Sequence, residues 1–161
     1  RAAEEAARKA AEKAKNNNSS RGNGNKSANS KGNTWPVPSS THISSSFGYR
    51  THPITRQWKL HKGIDISGGV SSKPAVAMKD GVVILSQYFG SYGNCVIIDH
   101  GDGISTLYAH GWSTTVSVGK EVKQGDTVLK IGSTGSSTGP HLHFEVRKNG
   151  VPVNPLDYVS R

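Results

Sequence analysis

Cysteine is nearly absent: Cys95 stands alone among 161 residues, which excludes an internal disulfide and any metal centre built from several thiolates. Apolar side chains are also scarce, at 33% with 7% aromatic, so the chain can build one small core and not two. No stretch approaches the roughly 20 apolar residues of a membrane-crossing helix, and no secretory signal pattern opens the chain. Met78 is the only methionine, from which a piece of a longer protein is expected.

Glycine and basic charge are what the sequence has in quantity. Nineteen glycines imply many turns, and 20 Lys and Arg against 11 Asp and Glu give a net charge of +9. More than half of that excess sits in residues 1–34, and the rest shows no interleaving of aromatic and basic residues. Nucleic acid is therefore not an expected partner.

Residues 1–15 are almost entirely Ala, Glu, Lys and Arg, strong helix formers with nothing larger than Ala to bury, and read as the end of a helix or coiled coil. Residues 16–34 are rich in Asn, Ser and Gly and read as a flexible linker. From Trp35 onward, short β-rich runs at 75–78, 82–87, 95–99, 104–110, 114–118, 127–131 and 142–147 alternate with Gly, Ser, Asn or Asp, with no long helical period between them. The expected architecture is an all-β, mainly antiparallel sandwich or open barrel over residues 35–161, preceded by a short helix and a disordered linker.

Seven histidines are an ample supply of neutral-pH ligands and bases. In the run Pro140-His141-Leu142-His143-Phe144-Glu145-Val146, alternation puts His141, His143 and Glu145 on one strand face and Leu142, Phe144 and Val146 on the other. His61 and Asp65 form an HxxxD. On a straight strand four residues span about 13 Å, too far for two ligands of one ion, so a shared site requires a bend at Lys62-Gly63, which Gly63 permits. Tyr108-Ala109-His110 closes a strand, with Tyr108 and His110 expected on one face. One carboxylate and several imidazoles are the donor set of an open zinc site with three protein ligands; residue spacing alone leaves His141 and His143 as equal candidates.

Phe47-Gly48-Tyr49-Arg50-Thr51-His52-Pro53, His61-Lys62-Gly63-Ile64-Asp65, Tyr108-Ala109-His110 and the run from Gly132 to Glu145 resemble, in order and spacing, the signature blocks of lysostaphin-type (LytM-domain) zinc metalloendopeptidases, which cleave peptidoglycan peptides. The resemblance covers the chain from about Phe47 to Tyr158. It implies one Zn2+ held by His61, Asp65 and His143, with His110 and His141 activating the bound water and stabilising the oxyanion. It further implies that Arg50 and His52 line the groove and that the chain acts in an extracytoplasmic location; Tyr108, and Ser136 and Ser137 of the polar Gly132–Gly139 loop, are expected to line the groove as well. Peptidoglycan stem and cross-link peptides are the implied partners, with anionic cell-wall polymers compatible with the charge. The FGYRTHP block is closer to relatives that cut D-alanyl to diamino-acid links than to those that cut glycyl-glycine bridges.

Two other functions compete. A noncatalytic peptidoglycan-binding or hydrolase-activating module would share the fold, but every expected ligand and catalytic histidine is in place. Ala77-Met78-Lys79 resembles a biotin-carrier motif, yet Asp80-Gly81 makes the better turn and would leave Lys79 off its tip. Cys95 is expected as a small core residue, and His42 and His100 as surface or turn residues.

Overall fold

A computed structural model describes residues 32–51, 54 and 56–161. The expected N-terminal helix and residues 16–31 of the expected linker lie outside the described residues. The end of that linker departs from expectation: Asn33 is buried and donates its side-chain amide to the Tyr158 carbonyl, and the Thr34 amide bonds Met78. The folded domain thus begins before Trp35, because a polar residue with a partner for its amide can be buried at little cost.

Among the described residues the strands are β1 (His42–Ser45), β2 (Gly48–Thr51), β3 (Trp58–His61), β4 (Ile64–Ser67), β5 (Pro74–Val76), β6 (Gly81–Tyr88), β7 (Asn94–Gly101), β8 (Ile104–Thr114), β9 (Glu121–Val122), β10 (Thr127–Ile131), β11 (Leu142–Lys148) and β12 (Val151–Val153). All their pairings are antiparallel, and the large sheet runs β1-β4-β11-β8-β7-β6-β9 without closing. β12 joins the sheet at β11; β10 pairs with both β8 and β5, while β2 and β3 form a separate hairpin. The all-β antiparallel expectation holds. The run 114–118 is not a strand of its own: β8 ends at Thr114, and Val116 turns into the core.

Alternation builds the two faces of the sheet. Ile64 and Ile66 of β4, Val96 and Ile98 of β7, Tyr108 of β8 and Leu142, Phe144 and Val146 of β11 are fully buried on the inner face. There they pack against Ala75 of β5, Leu129 and Ile131 of β10, and Met78, Val128 and Trp35. A smaller apolar group, Cys95, Leu107 and Ala109, lies on the outer face beneath Leu85, Tyr92 and Ile97. That outer face, floored by apolar side chains and left open above β4 and β11, is where the polar chemistry collects.

Candidate metal centre and cleft

The required bend is present. β3 stops at His61 and β4 starts at Ile64, and a Cβ at Gly63 would run into the Phe144 carbonyl oxygen, so the turn is pressed against β11. On β4, Asp65 lies directly opposite His143 of β11 in register, which brings two outward-facing side chains together. His143 Nδ1 lies 2.9 Å and His61 Nε2 3.2 Å from Asp65 Oδ1. Among the described residues, these three offer ligand atoms that all lie within 4.8 Å of one another, with both histidines buried.

Which nitrogen each histidine presents is set by its other partner. His61 Nδ1–H donates to the Ser46 carbonyl at 2.8 Å, His110 Nδ1–H to Thr134 at 2.7 Å and His141 Nδ1–H to Gly139 at 2.8 Å. A carbonyl can only accept, so each neutral ring keeps its proton on Nδ1 and turns a lone pair on Nε2 toward the cleft. His143 is reversed: Nε2 faces Glu145 Oε2 at 2.8 Å and Nδ1 faces Asp65. Two imidazole lone pairs and one carboxylate suit a zinc ion held by three protein ligands.

His110 reaches the cleft through a fault in the strand. Val96 pairs with Tyr108 and Asn94 with Gly111, so Ala109 and His110 together oppose Cys95 alone. This is a β-bulge, and His110 carries a φ of 64°, a backbone state uncommon outside glycine. The bulge breaks alternation. His110 lies 4.8 Å from His141 and 5.9 Å from His143, ring centre to ring centre, whereas Tyr108 stays on the inner face. Tyr108 therefore does not line the groove: its ring packs on Phe144 and its hydroxyl accepts from the Met78 amide at 2.9 Å.

Charge orders the site further. Burial would raise the Asp65 carboxyl, but the His143 and His61 rings beside it hold it well below the usual carboxylate range. Burial opposes protonation of His143, yet Asp65 and Glu145 lift it to about 9. Burial likewise favours a neutral Glu145, and His143, Tyr92 and Arg147 bring it instead to about 2. His110 is pushed down to about 4 by burial, with the neighbouring His141 and His143 adding to the effect, so at neutral pH it is an uncharged acceptor.

A cleft of about 420 Å³ holds these groups. Lys59, Leu60 and Lys62 of the β2–β3 side form one wall, and Ser91, Tyr92, Ser136 and Ser137 belong to the other. Ser137 bonds Gly139 and Ser133 and approaches His141 Nδ1 at 3.3 Å, while the Ser136 amide bonds Ser91. His52 and the side chain of Arg50 lie outside the described residues. His100 corrects another expectation: it is buried on the inner face, bonded to the Asp80 carbonyl and Thr106, because both ring nitrogens find partners there. Cys95 is a core residue as expected, its thiol pushed up to about 12 by burial and the Glu145 charge.

Sequence reasoning passed over Tyr92, Arg147 and Thr134. Arg147 carried a readable signal, since His143, Glu145 and Arg147 alternate on one strand face.

Known proteins resemble this chain in sequence and fold. A DD-carboxypeptidase/endopeptidase, Mpg, from Neisseria meningitidis is 49% identical over 116 residues, 72% of this chain. The chain spans only about a quarter (26%) of the length of that relative. A zinc-containing peptidase from Vibrio cholerae superposes with a TM-score of 0.70 at 35% identity, covering 76% of this chain and 38% of that one. The catalytic domain of lysostaphin from Staphylococcus simulans gives a TM-score of 0.63 at 27% identity, covering 71% and 89%. Residues 59–155, more than half of the chain and every candidate ligand and catalytic histidine within them, match the model of Peptidase family M23, and the chain belongs to that family.

Proposed function

We propose that the domain is a zinc-dependent endopeptidase that hydrolyses peptide cross-links of bacterial peptidoglycan, at D-alanyl to diamino-acid bonds. The observation that carries this reading is the convergence of His61, Asp65 and His143 with His110 and His141 in one cleft. His61 Nε2, His143 Nδ1 and an Asp65 oxygen would hold the ion. When bound, zinc supplies a Lewis acid that polarises the scissile carbonyl and acidifies water toward neutral pH.

The chain's own residues supply the proton path. With Nδ1–H committed to backbone carbonyls, His110 and His141 both turn Nε2 toward the cleft, where an uncharged ring can accept a proton but not donate one. The ring that takes the proton of the attacking water then becomes a donor, first to the developing oxyanion and then to the leaving amine, a role worth about 10²–10⁴-fold. The substrate peptide would lie extended between the β2–β3 wall and the wall of Ser91, Ser136 and Ser137. Substrate in the cell wall implies action outside the cytoplasm, and the +9 chain would favour anionic wall polymers.

Elemental analysis for zinc, run alongside release of new amines from purified peptidoglycan, tests the proposal. Stoichiometric zinc and amine release are expected in the intact chain, with zinc lost in His143→Ala and activity lost in both His143→Ala and His141→Ala. A folded chain with neither zinc nor new amines would be a binding or activating module instead.

A further inference from the structure

Among the described histidines of the cleft, His143 alone has carboxylates at both ring nitrogens, Asp65 at Nδ1 and Glu145 at Nε2, and the Glu145 carboxylate is fully buried. A buried charge is tolerated only when it is paired and hydrogen-bonded, and Glu145 is both. Arg147 reaches Glu145 Oε1 with Nε at 2.8 Å and its terminal nitrogen at 2.7 Å, and Tyr92 donates its hydroxyl to Oε2 at 2.6 Å. Arg147 also donates to the Tyr92 hydroxyl at 3.2 Å, closing a ring of three partners. The ladder His143, Glu145, Arg147 occupies alternate positions of β11, so the strand's own period builds it.

Resting on the zinc reading above, we propose that Glu145, with Arg147 and Tyr92 behind it, is a positioning residue that decides which face of the His143 ring serves the metal. A half-turn of an imidazole about its Cβ–Cγ bond exchanges Nδ1 for a carbon at nearly the same place. Nothing in the shape of the pocket forbids that as firmly as the Nε2–H bond to Glu145 does. For His61 a backbone carbonyl performs the same office, and a carbonyl is fixed by the fold. The side chain of Glu145 is not, so Arg147 and Tyr92 must hold it. Tyr92 also lies against the His143 ring, 5.7 Å between centres, so one residue both fixes the carboxylate and packs the ligand.

The test is zinc affinity by chelator competition, together with ¹⁵N chemical shifts of the His143 ring, in the full chain. Glu145→Gln is expected to weaken zinc binding by about 10–100-fold and to replace a single Nδ1-bound, Nε2-protonated signature with a mixture, while the folded spectrum persists. Tyr92→Phe keeps the ring and removes one bond; it should show a smaller loss of affinity and decides the matter if Glu145→Gln does not fold. Folded variants that keep wild-type affinity and a wild-type ring signature, even with a lower Tm, overturn the proposal, since a merely structural role would lower Tm alone. A wild-type chain that takes up no zinc fails the earlier reading first, and is recognised before any variant is made.

Discussion

Two buried histidines on opposite faces of the same sheet behave in opposite ways. His100, on the inner face, hydrogen-bonds neutral groups with both ring nitrogens: the Asp80 carbonyl at 2.9 Å and the Thr106 hydroxyl at 2.8 Å, which in turn lies 3.0 Å from the Tyr108 hydroxyl. Burial pushes it down to about 4. On the outer face His143 is just as enclosed, but its partners are the carboxylates of Asp65 and Glu145, and they lift it to about 9. Depth alone therefore does not set the charge of a buried imidazole. The formal charge of the atoms it touches does, because desolvation is common to both sites and only one is compensated.

The comparison can be broken most sharply at its charged end. His143→Ala should abolish zinc uptake and reduce release of amines from peptidoglycan to background, measured on protein whose fold is checked by circular dichroism. His141→Ala and His110→Ala come next: turnover should fall by about 10²–10⁴-fold with zinc content retained, since neither ring is a candidate ligand. Retained turnover in both would remove them from the proton path.

The neutral end is a matter of stability. The folded state of His100 binds its proton less readily than the unfolded chain, so its full stability is present above about pH 6.5 and is lost as pH falls toward 4. That loss amounts to about 3 kcal/mol at the acid end. Urea midpoints from pH 7 to 4 should show a shallower decline in His100→Gln than in wild type, after each is referred to its own value at pH 7. Smaller still, Tyr108→Phe strips the Met78 amide of its acceptor and should cost about 1–3 kcal/mol, with activity per folded molecule unchanged. A fall in turnover there would return Tyr108 to the groove.

Much of the outer face was legible from residue order. The alternation His141, His143, Glu145 against Leu142, Phe144, Val146 is a local consequence of the strand, and the structure places the second set on the inner face as read. The need for a bend between His61 and Asp65 followed from strand rise, and Gly63 supplies it. Alternation failed at Tyr108 and His110, because a bulge opposite Cys95 is a property of two strands in register and not of β8 alone. His100 was misread for the same reason: its partners, Asp80 in the bend before β6 and Thr106 of β8, come from other parts of the chain. The strand runs near the N-terminus of the domain, β1 to β4, are four residues each, too short for a period to declare itself.

The bulge in β8 also makes the chemistry countable in residues. A regular strand would show Ala109 to one side of the sheet and His110 to the other, yet here two consecutive side chains face the same way, Ala109 into the floor and His110 into the cleft. Removing Ala109 from that pair would restore an ordinary ladder and hand its outward place opposite Cys95 to His110, so the cleft would lose a floor residue and the imidazole would shift along the strand. The length of β8 at this one point thus sets whether the cleft has both an apolar floor and an imidazole above it.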